Sequence, residues 1–241
     1  MIKGKSIIIF GASGGIGSVL THVFVEAKAN VTLVARNKDK LADLAKDLDE
    51  TRVLVAPTDA TDPEAVEQVF RKTEEEFGSV DAVVIASGSW GKPVSLTTLH
   101  AEAVEMARKH FEEHFLILSV VGRVALRHFV MQKGGLLVNL SSHAGSDHTL
   151  SGNDTYGPMK AAADALMLRF RSEMKNNGNG VRVTSLVPMI VNTPDTAKAL
   201  GEDKDKAVQP EEMAQWIIDH FDDSDVPPTV PFHSAVVLKR K

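Results

Sequence analysis

A chain of 241 residues, 43% hydrophobic and 24% charged, can bury one sizeable core and has the composition of ordinary globular proteins, which excludes disordered and fibrous classes. Its formal net charge of −5, with no long basic block, excludes the electrostatic footprint of a nucleic-acid binder; the Lys239–Arg240–Lys241 tail reads as a solvated end. Cysteine is absent, so disulfides, thiolate metal sites and cysteine nucleophiles are excluded together, and the redox compartment stays open.

The first apolar run, Ser6–Phe10, follows Lys3 and Lys5 and stops at a glycine turn. It is too short for a signal h-region or a bilayer span, so no membrane association and a cytoplasmic location are expected. From there short apolar runs alternate with stretches of helical period, the pattern of βα units feeding a parallel sheet. Strands are expected near Ser6–Phe10, Asn30–Ala35, Arg52–Ala56, Ala82–Ala86, Leu136–Ser141 and Arg182–Val187. Helices are expected near Ile16–Ala27, Lys38–Leu48, Pro63–Phe77, Ala101–Gln132, Thr155–Asn176 and Pro210–Phe221. The strands carry Val, Ile or Leu on both faces, as strands covered by helices on both sides must. The expected fold is α/β: a doubly wound, Rossmann-type parallel sheet in a single domain over residues 1–241, with no repeat, low-complexity tract or linker. The polar stretch Thr193–Gln209 follows the sixth strand, outside the carboxyl ends where such sheets take ligands; 194–209 is either a mobile substrate cover or an ordinary surface loop with a helical turn.

The first strand runs into Gly11–Ala12–Ser13–Gly14–Gly15–Ile16–Gly17 and then a helix. Glycines there serve either a plain strand-to-helix turn or a dinucleotide cradle. In the second case Gly11 makes the tight turn, Gly15 and Gly17 allow close approach, and the helix's first amides and dipole hold a pyrophosphate. The second strand ends in Ala35–Arg36, with no carboxylate of the kind that binds a ribose 2′-hydroxyl. A guanidinium there suits a 2′-phosphate, which favours NADP(H) over NAD(H); the plainer alternative is a loop cation beside Asn37 and Lys38.

Beyond the fifth strand stands Ser142, and fourteen residues later Tyr156, paired at i, i+4 with Lys160 on one helix face. Such a trio suits hydride transfer to a carbonyl. A lysine ammonium and an oxidised nicotinamide would bring a phenol's pKa of about 10 toward working pH, and a serine hydroxyl would bind the developing oxyanion. Tyr156 is the sole tyrosine, so no other phenol competes for that role.

The spacing Gly-x-x-x-Gly-x-Gly, with Ser142, Tyr156 and Lys160 in this order, resembles the short-chain dehydrogenase/reductase family along nearly the whole chain. The resemblance implies an NAD(P)-dependent carbonyl reductase or alcohol dehydrogenase acting on a small molecule, assembled as a homodimer or homotetramer through the helices beginning near Ala101 and Thr155. It implies cofactor contacts from Gly11, Ser13, Gly15, Ile16, Gly17, Arg36, Asp59, Ala60, Ala86, Ser87, Gly88, Tyr156, Lys160, Pro188, Val191 and Thr193. Asp59 matches the family's aspartate beside the adenine; an N-cap role is equally open to it, although Asp62 before Pro63 is the better cap. Departures are Phe10 for threonine, Ile85–Ala86 for two strand-supporting asparagines, Pro158 and Met159 inside the Tyr-x-x-x-Lys segment, Met189 for a turn glycine, and a carboxyl end from Pro227–Pro228 onward without the family's Asp-Gly-Gly, which leaves a seventh strand unassigned.

The family's fourth catalytic residue, an asparagine anchoring a relay water, falls on His114, which could bind water and carry a proton or simply line a helix. His110, Glu113 and His114 also spell the His-x-x-Glu-His pattern of inverted zinc peptidases, for which no third protein ligand can be placed. A third reading, drawn from the departures, is an NADP-binding sensor or interaction protein without turnover. Substrate choice is expected to rest on Ser89, Trp90, His143, Leu150, Met189 and the Thr193–Gln209 segment, with His148 at the entrance or surface.

Overall fold

The computed structural model describes residues 2–90, 101–147, 155–177 and 180–236; Leu150, His148 and the Lys239–Lys241 tail lie outside them. β1 (Ser6–Phe10) is buried along its whole length, and its side chains divide between two cores. Ile7 and Ile9 join Leu20, Phe24, Leu33 and Val84 on one face, while Ile8 and Phe10 join Val34, Phe70, Val83 and Ile85 on the other. Burial on both faces requires a helical layer on each.

The first half continues with α1 (Gly15–Glu26), β2 (Asn30–Ala35), α2 (Lys38–Ala45), β3 (Val53–Pro57), α3 (Pro63–Phe77) and β4 (Ala82–Ile85). The second half holds α4 (Ala101–His110), α5 (Ile117–Gln132), β5 (Gly135–Leu140), α6 (Tyr156–Asn177), β6 (Val181–Pro188), α7 (Pro194–Leu200), α8 (Pro210–Asp219) and β7 (Thr229–Phe232). All seven strands pair in parallel in the order β3-β2-β1-β4-β5-β6-β7. The order reverses between β1 and β4, and the carboxyl ends of those strands flank the crevice where doubly wound sheets bind ligands.

Local chemistry explains most boundaries. Asn37 caps α2 by accepting from the Lys40 amide, and Asp62 caps α3 by accepting from the Glu64 and Ala65 amides, with Pro63 in the first turn. Asp59, the other candidate cap, accepts instead from the amide and hydroxyl of Thr61.

One expectation needs correction, and one element left open can be assigned. The helix expected over Ala101–Gln132 is interrupted by a π turn, Phe111–Leu116, between α4 and α5. Its wider pitch lets the consecutive residues Glu113 and His114 both reach Ser89. A seventh strand does exist; β7 pairs with β6, and Pro231 is tolerated because no strand among the described residues pairs with its outer side. Residues 194–209 form α7 and a 3-10 turn, Gly201–Lys206, stitched to the sheet end by a Val191–Val208 bridge.

The run Ala101–Gln132 contains an 18-residue window of mean hydropathy 1.4, long and apolar enough by that measure to cross a bilayer. Its apolar residues Leu118, Val121, Ala125 and Phe129 are instead fully buried in the second core against the sheet.

The glycine turn is closely packed. Gly11 has φ +87, and a Cβ on Gly17 would stand 2.2 Å from the Gly11 carbonyl oxygen. Backbone cannot move aside as a side chain can, so Gly17→Ala is expected to destabilise the fold by about 1–3 kcal/mol through overpacking, read as a lower urea midpoint at unchanged m-value.

Candidate active site

The site is built where β5 ends. The Ser142 hydroxyl accepts from the Ala144 amide at 3.2 Å and so caps the 3-10 turn His143–Gly145. That turn presses on the start of α6: a Cβ on Gly157 would lie 2.7 Å from the Ala144 carbonyl oxygen, which explains a glycine directly after Tyr156. The close approach brings the Tyr156 hydroxyl into a hydrogen bond with Ser142. One helical turn on, Lys160 is buried; its Nζ donates to the Leu140 carbonyl at 2.8 Å and lies 5.7 Å from the centre of the Tyr156 ring. Ser142, Tyr156 and Lys160 therefore converge at the carboxyl end of the central strands, each less than a tenth exposed.

Burial decides the electrostatics. It pushes the Tyr156 phenol up to about 12, against the pull of the Ser142 hydrogen bond. It also brings Lys160 down to about 8, opposed by the carboxylates of Asp164 and Glu113. The expectation from the sequence concerned a different state, a phenol lowered jointly by the ammonium and an oxidised nicotinamide. Desolvation is the largest influence on the phenol, which stands as a protonated donor at neutral pH.

Next to this trio a cleft of about 370 Å³ opens along the glycine turn. Gly11, Ser13, Arg36, Asp59, Ala60, Ala86, Ser87 and Gly88 line it, joined by Asn37, Lys40, Thr58, Glu112 and Glu113. Gly15 and Gly17 face Thr193 and Gly11, Ile16 packs against the first core, and Pro188 and Val191 are buried at the end of β6. A nucleotide fits these residues: Gly14 precedes α1 without a side-chain cap, so first-turn amides are left for an anion, and Arg36 and Lys40 supply cations farther along the cleft. A larger cleft of about 590 Å³ lies at the opposite, amino end of the strands, lined by Lys5, Asp81, Gln132 and Arg182. These four side chains are committed to one another and to backbone, as in the 3.0 Å Lys5–Asp81 pair, the Gln132 bond to the Val80 carbonyl and the Arg182 bond to the Asp223 carbonyl.

The sequence pattern described as short chain dehydrogenase matches residues 5–205. The chain belongs to the short-chain dehydrogenase family. It is 28% identical over 218 residues to an uncharacterized oxidoreductase of Staphylococcus aureus (strain MRSA252), covering 90% of this chain and 91% of that protein. Among solved structures it resembles a short-chain type dehydrogenase/reductase from Mycobacterium ulcerans, with TM-score 0.84, 25% identity, and coverage of 95% of this chain and 88% of that one. It also shares the fold of L-sorbose reductase from Gluconobacter frateurii, complexed with NADPH and L-sorbose, with TM-score 0.83, 23% identity, and coverage of 100% and 98%.

For a short-chain dehydrogenase, several local features are this chain's own. Phe10 is fully buried in the second core, so the ring serves as packing where the family has a threonine. Ile85 pairs in register with Asn139, whose buried Nδ2 has no hydrogen-bond partner among the described residues. Unpaired amides of this kind cost about 1–3 kcal/mol, the local consequence of an isoleucine at an asparagine position. Met189 donates its amide to the Phe232 carbonyl and so extends the β6–β7 pairing. Thr193 forms a capping box with Thr196 at the start of α7, and its Cβ bears on Gly15.

His114 is buried, its Nε2 3.0 Å from the Ser89 carbonyl oxygen and its ring edge-on to Tyr156 at 5.0 Å. Burial, reinforced by the charge of Lys160, pushes its pKa down to about 2. The ring is therefore neutral, with its hydrogen on Nε2 facing the carbonyl, and Nδ1 is a buried acceptor without a partner among the described residues. Such a ring can accept from water at Nδ1, and it does not take up a second proton at neutral pH. His110 bonds the Thr155 hydroxyl through Nδ1, and Glu113 turns to the amide and hydroxyl of Ser89. Among the described residues no three His, Asp or Glu side chains are grouped to hold a metal ion.

Sequence reasoning missed Asp164, four residues beyond Lys160 on the same helix face, which accepts from the Ser141 hydroxyl at 2.6 Å; the i+4 spacing was the available signal. It also missed the carboxylates facing Arg36: Glu112 at 3.8 Å and Glu113 at 3.7 Å. Trp90, an expected substrate contact, is half-exposed and its ring lies 4.9 Å from that of Tyr156, while His143 is half-exposed beside Asp147.

Proposed function

We propose that the chain reduces a ketone or aldehyde to the alcohol, or runs the reverse oxidation, with NADP(H) preferred over NAD(H). The observation that carries this reading is the meeting of a protonated Tyr156 hydroxyl with the Ser142 hydroxyl at the end of β5, beside a cleft that follows the glycine turn. The nicotinamide, when bound, supplies the hydride. Tyr156 donates the proton that the new alkoxide needs, and its burial keeps that proton on the phenol until it is used. Ser142 orients the substrate oxygen and stabilises its developing charge. Lys160, anchored on the Leu140 carbonyl, holds a cation under the phenol ring and is available to a ribose hydroxyl. His114 accepts from a water behind Tyr156. Gly11, Ser13 and the first turn of α1 would hold the pyrophosphate, Asp59 and Ala60 the adenine, and Ala86–Gly88 with Val191 and Thr193 the nicotinamide half. The exposed Val104, Phe111 and Leu168 on α4, the π turn and α6 support a homodimer or homotetramer through those helices.

A panel of ketones and aldehydes, followed by loss of reduced-nicotinamide absorbance, tests the reading. Binding of NADPH without turnover on any of them would instead favour a sensor. Arg36 carries the cofactor preference, so Arg36→Ala is expected to weaken NADPH by about 10- to 100-fold, the worth of a charge-assisted hydrogen bond, and NADH far less. Calorimetric titration of both cofactors checks it, and equal losses would remove Arg36 from the argument.

A further inference from the structure

Resting on that assignment of Arg36, we propose that Glu112 is a specificity-determining residue which narrows the preference for NADPH by competing with the 2′-phosphate for the Arg36 guanidinium. The end of β2 holds no acidic group, but the π turn between α4 and α5 delivers two. Arg36 Nη1 faces Glu112 Oε1 at 3.8 Å and Nη2 faces Glu113 Oε1 at 3.7 Å, and all three residues line the cleft at the glycine turn. The guanidinium fork is thus bracketed by carboxylates where it would grip a phosphate.

The two glutamates differ in freedom. Glu113 is almost wholly buried, its Oε2 held by the Ser89 amide at 3.0 Å and the Ser89 hydroxyl at 2.8 Å, so it shapes the cleft and cannot withdraw. Glu112 is half-exposed and, among the described residues, pairs with Arg36 alone. Its charge remains near the cation's end of the cleft when a cofactor arrives. A phosphate there must displace it from Arg36 and then sit beside a like charge. A ribose 2′-hydroxyl meets no repulsion and can donate to the carboxylate. The difference falls on NADPH and leaves NADH aside.

The test is the dissociation constants of NADPH and NADH, measured by calorimetry on the full chain for wild type, Glu112→Gln and Arg36→Ala. Removing one like charge at several ångströms in a partly solvated cleft is worth about tenfold. Glu112→Gln is therefore expected to raise the ratio of the NADH to the NADPH dissociation constant about tenfold, through tighter NADPH, and Glu112→Ala is expected to do the same. An unchanged ratio in both variants, with Arg36→Ala still selective against NADPH, would overturn the competition and leave the Arg36 assignment standing. Weaker binding of both cofactors by Glu112→Gln would overturn it too, by reducing Glu112 to a prop for the cleft. If Arg36→Ala weakens the two cofactors equally, the Arg36 assignment fails and the competition falls with it.

Discussion

Tyr156→Phe is expected to lower carbonyl turnover by about three orders of magnitude, within the range for loss of a positioned general acid, while the protein still folds and binds reduced cofactor. The substitution removes one oxygen and keeps the ring. Contacts of that ring with Trp90, 4.9 Å away, and with the edge of His114, 5.0 Å away, persist. Ser142 loses one partner but still accepts from the Ala144 amide. The stability change should therefore stay near the net worth of one hydrogen bond, about 1 kcal/mol. Among the described residues no neighbouring group is placed to substitute for the phenol: Lys160 is turned to the Leu140 carbonyl and the one ring hydrogen of neutral His114 is held by the Ser89 carbonyl. The readout is kcat from reduced-nicotinamide absorbance, alongside a binding titration of the same variant. Wild-type turnover in the phenylalanine variant would mean that the proton comes from elsewhere and that the meeting of Tyr156 with Ser142 is structural.

How far the residues foretold this site depends on how local each cause is. β1 and β2 were legible because continuous apolar runs between turns have one good solution, a strand covered on both faces, and α3 because Asp62–Pro63 starts it and Gly78, at φ +85, stops it. The glycine turn and the i, i+4 pair of Tyr156 and Lys160 are short-range patterns, and both fall in the elements expected for them. The π turn was not legible, since apolar periodicity runs through Ala101–Gln132 without a break and the cause, two side chains reaching Ser89, lies in another element. β7 was hidden because an edge strand with alternating exposure and a proline carries little apolar signal. The direction of the Tyr156 shift could not be read either. Proximity of the lysine is written in the spacing, but burial depth is a tertiary fact, and it decides the sign. The carboxylates facing Arg36 belong to the same class, supplied from far along the chain to a strand end that looks free of acid.

His114 is expected to make the fold acid-sensitive. Its pKa is 6.5 as a free group and about 2 in the folded protein, where burial penalises the imidazolium and the charge of Lys160 repels it. Between those values the unfolded chain binds a proton that the native state refuses, so stability is lost as pH falls below 6.5 and is fully present above it. Each pH unit below 6.5 costs about 1.4 kcal/mol, which gives about 2 kcal/mol at pH 5. Asp164 shifts the opposite way, its carboxyl raised by burial, and so favours the native state in acid. A comparison at one site cancels that contribution. His114→Asn keeps an amide hydrogen for the Ser89 carbonyl and removes the titration. Urea unfolding at pH 7 and pH 5 should show wild type losing about 2 kcal/mol more than the variant over that interval. Parallel losses in the two proteins would mean that the imidazole is protonated or solvated in the native state. The buried Nδ1 acceptor behind Tyr156, on which a bound water depends, would then have to be abandoned.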